Sequence, residues 1–320
     1  MQPTATSVTF EFRIPILPEP AFYSNVKLAA LSLARLGGAY ASAPIIASIG
    51  GHADETHVRA VNRWSEDYPL TWRAVPHAVS DRTFSSGFDR YIEPPRGDVV
   101  ILVDADACLM RPIDSLLLTL RNAAHPLVAG LPAHFSPFSR NGIDNDARWR
   151  ELLQAFGFGD VPLDQRYSES PEPEYGGSPP YFNYGFVAFN RAAFVAIQPL
   201  VRPLTERVLR HLADTPFVFF SGQIALTLAI LTVGAETLAL GPEYNCPNSD
   251  EMLAHGLADA ADIRVLHYLR HDQFNRHSFL CNRSEFDAFC HQPFASTVVR
   301  AFQQHVRSLP DVFYAEGENE

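Results

Sequence analysis

The sequence predicts an α/β protein built on a Rossmann-like, mostly parallel mixed sheet flanked by helices, and three observations carry that expectation. Short apolar runs rich in β-branched residues alternate with stretches whose apolar residues recur at helical spacing. The connections between them are rich in Gly, Pro, Asn and Asp, which break regular structure. One run, Val99 to Leu109, is apolar almost throughout and carries two carboxylates, Asp104 and Asp106, one residue apart. Alternating strands and helices imply right-handed crossovers, and ligands of such sheets sit beyond the carboxyl ends of the strands.

Val8 to Leu17 reads as a first strand, stopped by Pro18-Glu19-Pro20. Ser24 or Asn25 then caps a helix that closes at Gly37-Gly38. A second strand spans Pro44 to Ile49, an amphipathic helix Asp54 to Ser65, and a third strand Leu70 to Val75. The run from Val99 reads as one buried parallel strand, followed by a helix near Ile113 to Arg121. Pro132 to Asn145 and Asp160 to Pro180 are irregular, and the second is too long for an ordinary connection, so it reads either as a lid or as a disordered insertion.

Order returns with a strand from Pro180 to Asn190 and a helix from Ala192 to about Leu212. Phe217 to Ala235 carries no charge and approaches the length of a membrane span. Ser221, Gly222, Gln223, Thr227, Thr232 and Gly234 interrupt it, which favours a buried helix and no membrane span. Strands follow at Glu236 to Leu240 and Ile263 to Tyr268, then two helices around Pro293 and an acidic tail expected to fray.

A chain of 320 residues, 47% of them hydrophobic, buries a large core. Its net charge of −11 argues against nucleic acid and anionic membrane as partners. Four cysteines, Cys108, Cys246, Cys281 and Cys290, lack metal-site spacing, which reads as reduced thiols in a cytoplasmic protein; Met1 to Val8 shows no secretory pattern. Neither Gly-x-Gly-x-x-Gly nor Gly-x-x-x-x-Gly-Lys occurs, so a bound diphosphate would lean on a metal.

Asp104 and Asp106 offer two hard oxygen donors suited to Mg²⁺ or Mn²⁺. The competing reading has Asp104 capping the helix near Ile113 or solvating a strand end. Gly185 inside a strand signals a close approach to the backbone, and Asn183 beside it can both donate to and accept from a sugar hydroxyl. Gln223 heads an apolar helix, where a buried amide needs protein or ligand partners. His267 ends a strand; it is either structural or a third metal ligand. His267 and His271 are four apart with no glutamate following, so the zinc-protease helix pattern is missing, as is any nucleophile elbow.

The order of these features, and above all Tyr181-Phe182-Asn183-Tyr184-Gly185 before an apolar strand, resembles glycosyltransferases of the GT-A fold. It is most similar to family 8, which includes glycogenin and bacterial lipopolysaccharide galactosyltransferases, and the resemblance covers residues 8 to 272 by feature order. It implies a GT-A domain over residues 1–280, with a nucleotide-binding half at 8–110 and a donor-sugar and acceptor half at 111–280, and a helical C-terminal extension over 281–320. It implies that Asp104, Asp106 and His267 bind Mn²⁺ (or Mg²⁺) bridging the diphosphate of a nucleotide-sugar, by resemblance a UDP-sugar. Asn183 and Gln223 become the catalytic contacts to the donor sugar. Phe22 and Tyr23, with Ala21, fall near the nucleoside; Arg90 faces the phosphates, and Asp104 and Gly185 border the donor.

Two departures accompany it. Gly222 stands where the family has Asp, and no lysine follows His267, so Arg270 is the candidate for the positive charge on the departing diphosphate. Retention of the anomeric configuration, with Gln223 near the reacting carbon, is the favoured outcome. Inversion would need a carboxylate base, for which Asp250 or Glu251 are the candidates. The acceptor, a glycan, lipid or protein hydroxyl, is not specified. Two rivals are a sugar-nucleotide or glycan-binding protein without turnover, and a haloacid dehalogenase-type phosphatase. The second needs a downstream basic residue, usually lysine, and a later acidic cluster for Mg²⁺, whereas Lys27 is the only lysine and lies upstream.

Overall fold

The computed structural model describes residues 8–76, 89–138, 144–213 and 215–315. Strands β1 (Phe10–Ile16), β2 (Ile45–Ile49), β3 (Leu70–Ala74) and β4 (Val99–Val103) run parallel in the spatial order β3-β2-β1-β4. The chain next forms β5 (Ala107–Leu109) and β6 (Leu127–Pro132), then β7 (Phe182–Asn190) and β8 (Glu236–Ala239). β7 lies antiparallel between β4 and β6, and β8 adds parallel to β6, completing a seven-stranded mixed sheet. The expected fold class is therefore the observed one. The strand order reverses between β1 and β4, which opens a crevice at their carboxyl ends.

β4 is buried along its whole length. Ile101 and Val103 pack into one apolar cluster with Phe12 and Ile14, whereas Val100 and Leu102 pack into another with Val187 and Phe189. β1 is equally buried, yet it carries Glu11 and Arg13 between its apolar residues. Arg13 Nε donates to Glu11 Oε1 at 2.9 Å, and its guanidinium also donates to the carbonyls of Arg90 (2.9 Å) and Pro94 (3.0 Å). Glu11 Oε2 accepts from the Arg96 backbone at 2.8 Å. This buried pair thus ties the segment before β4 to the sheet.

The helices are α1 (Pro20–Leu36), α2 (Glu55–Val61), α3 (Asp114–Asn122), α4 (Asn145–Ala155), α5 (Arg191–His211), α6 (Ser221–Val233), α7 (Arg283–His291) and α8 (Thr297–Arg307). α1 begins before the expected Ser24 or Asn25 cap, because Pro20 sits in the first turn, where its fixed φ and missing N–H cost nothing. The expected helix to Ser65 divides: α2, capped by Asp54, ends at Val61, and a 3₁₀ turn covers Arg63–Asp67. α3 has Ile113 at its N-cap, so Asp104 does not cap it.

The run from Val99 is two strands rather than one. Ala107 N donates to Asp104 O at 3.1 Å, and that turn hands the chain to a second, three-stranded sheet. There β5 pairs antiparallel with β10 (Val265–His267), which pairs parallel with β9 (Cys246–Pro247). α7 and α8 share one apolar core with this sheet and α1: Tyr268 stacks on Phe302 at 5.0 Å, and Leu28 and Leu31 join the same cluster.

Asp160 to Pro180 is a packed wall, not a disordered insertion. Tyr167 OH accepts from Trp149 Nε1 (2.9 Å) and donates to Asn145 Oδ1 (2.8 Å), while Ser168 N and Glu169 N donate to Ala133 O and His134 O. Pro216–Val233 is long and apolar enough by composition to cross a membrane, and half of it is buried in the fold. None of the four cysteines forms a disulfide. Residues 1–7, the tail at 316–320 and the 139–143 part of the first irregular stretch lie outside the described residues, as do the readings placed on them.

Candidate active site

Two registers bring the candidate metal ligands together. Val103 ends β4 opposite Phe186 of β7, which places Asp104 N against Gly185 O. In the second sheet His267 pairs with Ala107, and Tyr268 N donates to Asp106 O at 2.8 Å, so the imidazole falls beside the acid pair. His267 Nε2 lies 3.1 Å from Asp106 Oδ1 and 3.8 Å from Asp104 Oδ2. One ligand atom from each of the three residues lies within 4.8 Å of the others. Two carboxylate oxygens and an imidazole nitrogen at that spacing fit a divalent cation such as Mn²⁺ or Mg²⁺.

Burial alone would raise the Asp106 carboxyl, but the charge and hydrogen bond of His267, with Arg276, hold it down at about 2. Burial acts on His267 in the opposite sense to its neighbours, and the charges of Asp106 and Asp104 win, raising it. The cluster is therefore ionic and mutually stabilised.

Gly185 explains how His267 gets so close. A Cβ at that position would fall inside contact distance of His267 Nδ1 and Asn245 Oδ1. The close approach expected at this glycine is thus made by two of the protein's own side chains. Asn245 Nδ2 donates to Asn183 Oδ1 at 2.9 Å, and Gly185 N donates to the same oxygen at 2.8 Å. With its carbonyl so engaged, Asn183 has its amide N–H₂ to offer.

Two guanidinium groups complete the charge balance. Arg90, held by the Glu11–Arg13 pair through its own carbonyl, donates to Asp104 Oδ1 and to Tyr184 O (3.1 Å), with its guanidinium 4.8 Å above the Tyr184 ring. Arg276 donates to Asp106 Oδ2 and, through Nε, to His271 Nε2 at 2.9 Å. Sequence reasoning did not single out Arg276, which lies in an irregular segment without motif spacing.

Asp104, Asp106, His267, Arg90 and Arg276 line a cleft of about 420 Å³. Asn183, Gly222 and Gln223 line it too, with Tyr184 OH donating to Gly222 O at 2.7 Å to fix the head of α6. Gln223 Oε1 is buried and has no protein hydrogen-bond partner. The remaining lining includes His134, Phe135 and Phe219, none of which carried a sequence signal.

Several sequence candidates lie elsewhere. Tyr23 is in the core, its ring 5.8 Å from Trp72, and Phe22 packs against the same cluster, so neither lines the cleft. They sit in the first turn of α1, not in a loop after β1, because that helix starts at Pro20. Arg270 is committed to Glu169 (2.6 Å) and Glu251 (2.5 Å) and does not line the cleft; the cation in the cleft from this segment is Arg276. Asp250 accepts from Ser296 Oγ, Thr297 N and Val298 N at the start of α8. Neither Asp250 nor Glu251 lines the cleft. Lys27 Nζ donates to Asp311 and Phe313 O, away from the acid pair, which leaves the phosphatase reading without its lysine.

Residues 80–234, just under half of the chain, match the model of the Rhodobacterales glycosyltransferase domain. No curated protein matches in sequence. Among solved structures, the apo form of the bifunctional glycosyltransferase WbbM aligns over 96% of this chain with a TM-score of 0.53 at 15% identity. The chain spans about half of that protein, 51% of its length. An active-site mutant of LgtC aligns over 93% of this chain and 98% of its own, with a TM-score of 0.54 and 13% identity. The galactosyltransferase LgtC in complex with donor and acceptor sugar analogs aligns over the same shares, with a TM-score of 0.52 and 13% identity. The fold is that of GT-A glycosyltransferases.

Proposed function

We propose that the protein is a metal-dependent glycosyltransferase that moves a sugar from a nucleotide-sugar, a UDP-sugar by analogy with family 8, to an acceptor hydroxyl. The observation that carries this reading is the convergence of Asp104, Asp106 and His267 within 4.8 Å in a cleft whose other polar lining includes Asn183 and Gln223. The match of residues 80–234 to a glycosyltransferase domain supports it, as does the fold.

Breaking a sugar–diphosphate bond leaves negative charge on the leaving phosphate and an oxocarbenium-like sugar. Asp104, Asp106 and His267 would hold a divalent ion, which would supply Lewis acidity toward the leaving diphosphate. Arg90 and Arg276, beside the same carboxylates, supply guanidinium donors suited to phosphate oxygens. Asn183 offers its amide N–H₂ to a sugar hydroxyl, and Gln223 offers an acceptor whose burial without a partner is relieved by one. The cleft holds donor and acceptor together.

Among the described residues lining the cleft, the only carboxylates are Asp104 and Asp106. A separate Asp or Glu base is missing from that lining, which favours retention over inversion. Four cysteines without a disulfide accord with a reducing compartment such as the cytoplasm. A panel of UDP- and GDP-sugars incubated with Mn²⁺ tests the reading. Metal-dependent release of nucleoside diphosphate is the expected result. Binding without release across a broad acceptor panel would instead show a sugar-nucleotide-binding protein.

A further inference from the structure

The cleft lining divides by charge. Asp104, Asp106, His267, Arg90 and Arg276 form one ionic cluster, while among the described residues the remaining lining carries no charged side chain once His134 is neutral. His134 is 6% exposed, with Nδ1 2.9 Å from Ser168 Oγ. Its Nε2 is buried, has no protein partner, and belongs to a side chain that lines the cleft. Glu169 Oε1 lies 3.8 Å from Nδ1, but its own carboxyl is raised by burial; burial first, then the charges of His267 and Arg270, push the His134 pKa down to about 3, so the imidazole is neutral. The same lining includes two exposed apolar side chains, Phe135 (51% exposed) and Phe219 (66% exposed), the second edge-on to Phe220.

We propose that His134, Phe135 and Phe219 form the acceptor subsite, and that it takes an uncharged pyranose, with one hydroxyl on His134 Nε2 and the ring's C–H face on the phenylalanines. The inference rests on the glycosyltransferase reading and names its acceptor class. A hydroxyl both donates and accepts, so it satisfies Nε2 in either tautomer, and an unmet buried polar atom costs about 1–3 kcal/mol. An aliphatic chain alone would cover the rings and leave Nε2 unmet. Among the described lining residues outside the ionic cluster an anionic acceptor would find no cation, and the nearby Arg270 is paired with Glu169 and Glu251. A pyranose presents both surfaces at once, an apolar face and a hydroxylated edge.

The test measures nucleoside diphosphate release with UDP-glucose, UDP-galactose, UDP-xylose and UDP-N-acetylglucosamine, in Mn²⁺, with and without acceptor. The acceptors are the methyl pyranosides of glucose, galactose, mannose and xylose, and methyl glucuronide as the charged arm. At least one neutral pyranoside should accelerate release, and the glucuronide should not. Phe219→Ala, at a surface position that does not threaten folding, and His134→Leu should each raise that acceptor's KM at least tenfold, leave kcat within threefold, and leave calorimetric UDP affinity within twofold. Acceleration by the glucuronide alone, or by none of the acceptors, overturns the assignment. So does a loss of UDP affinity in both variants. A wild-type protein that binds no UDP in Mn²⁺ would instead refute the functional reading beneath it, and the subsite with it.

Discussion

Gly185 and His267 lay claim to the same space: the position a Cβ would take on the glycine lies within contact distance of the imidazole Nδ1. His267 reaches the acid pair across β7 only because residue 185 has no side chain. The glycine in the Phe-Asn-Tyr-Gly stretch is thus a packing requirement of the metal site, one element removed from the ligands themselves.

Gly185→Ala should therefore act at a distance from the acids. Overpacking at a buried position costs about 1–3 kcal/mol, and the displaced imidazole should weaken Mn²⁺-supported UDP binding at least tenfold. Thermal melting and calorimetry read the two effects separately. An alanine variant with wild-type affinity would show that His267 does not need this space.

Arg276 neutralises Asp106 in the absence of metal. Arg276→Gln should tighten binding of Mn²⁺ alone by several-fold, because the ion no longer competes with a guanidinium. The same change should weaken UDP binding in saturating Mn²⁺ by about tenfold, the size expected for a charge-assisted contact of about 1.5 kcal/mol. Titration of Mn²⁺ followed by electron paramagnetic resonance measures the first, calorimetry the second.

Arg270 should behave as a structural residue. Glu169 is 2% exposed, and its carboxyl is raised by burial despite the Arg270 charge. Removing the guanidinium in Arg270→Ala should cost about 2–4 kcal/mol in denaturant titration, somewhat less than a fully buried pair because Arg270 is partly solvated. Arg270→Ala/Glu169→Gln should recover part of that loss. UDP affinity should change less than twofold in either variant.

His305 sets an acid limit on stability. Burial, with Arg35 nearby, holds its pKa down at about 4, and its Nε2 lies 2.8 Å from Ser32 Oγ between α8 and α1. Below about pH 6.5 the unfolded chain takes up a proton that the folded one refuses, so stability falls as pH drops from 6.5 toward 4. The full loss from this group is on the order of 3 kcal/mol. Urea titrations across that range should show the slope, and His305→Gln should flatten it. His134, also held neutral by burial, adds a slope of the same sign.

The sequence exposed those parts of the site that sit at the ends of patterned elements. Asp104 and Asp106 close an apolar run, Asn183 and Gly185 open one, Gln223 heads a helix and His267 ends a strand. Side chains that reach the cleft from irregular chain left no such trace, which is why Arg276 and His134 went unseen. Strand direction is also invisible to periodicity: β7 reads as another buried strand, and its antiparallel placement follows from a connection no pattern encodes. The turn at Asp104 to Asp106 was hidden for a related reason, since Ala107 to Leu109 is as apolar as β4 although it belongs to another sheet. The start of α1 was placed too late, at Ser24 or Asn25, because Pro18-Glu19-Pro20 reads as a break as readily as it reads as a helix opening with proline in the first turn.

Calorimetric titration of UDP into the wild type and into Asp106→Asn, each with Mn²⁺ and with chelator, bears most directly on the central claim. The wild type should bind UDP only with the ion present, and Asp106→Asn, folded by circular dichroism, should bind at least a hundredfold more weakly. Equal UDP affinity in chelator, or wild-type affinity in Asp106→Asn, would contradict the account.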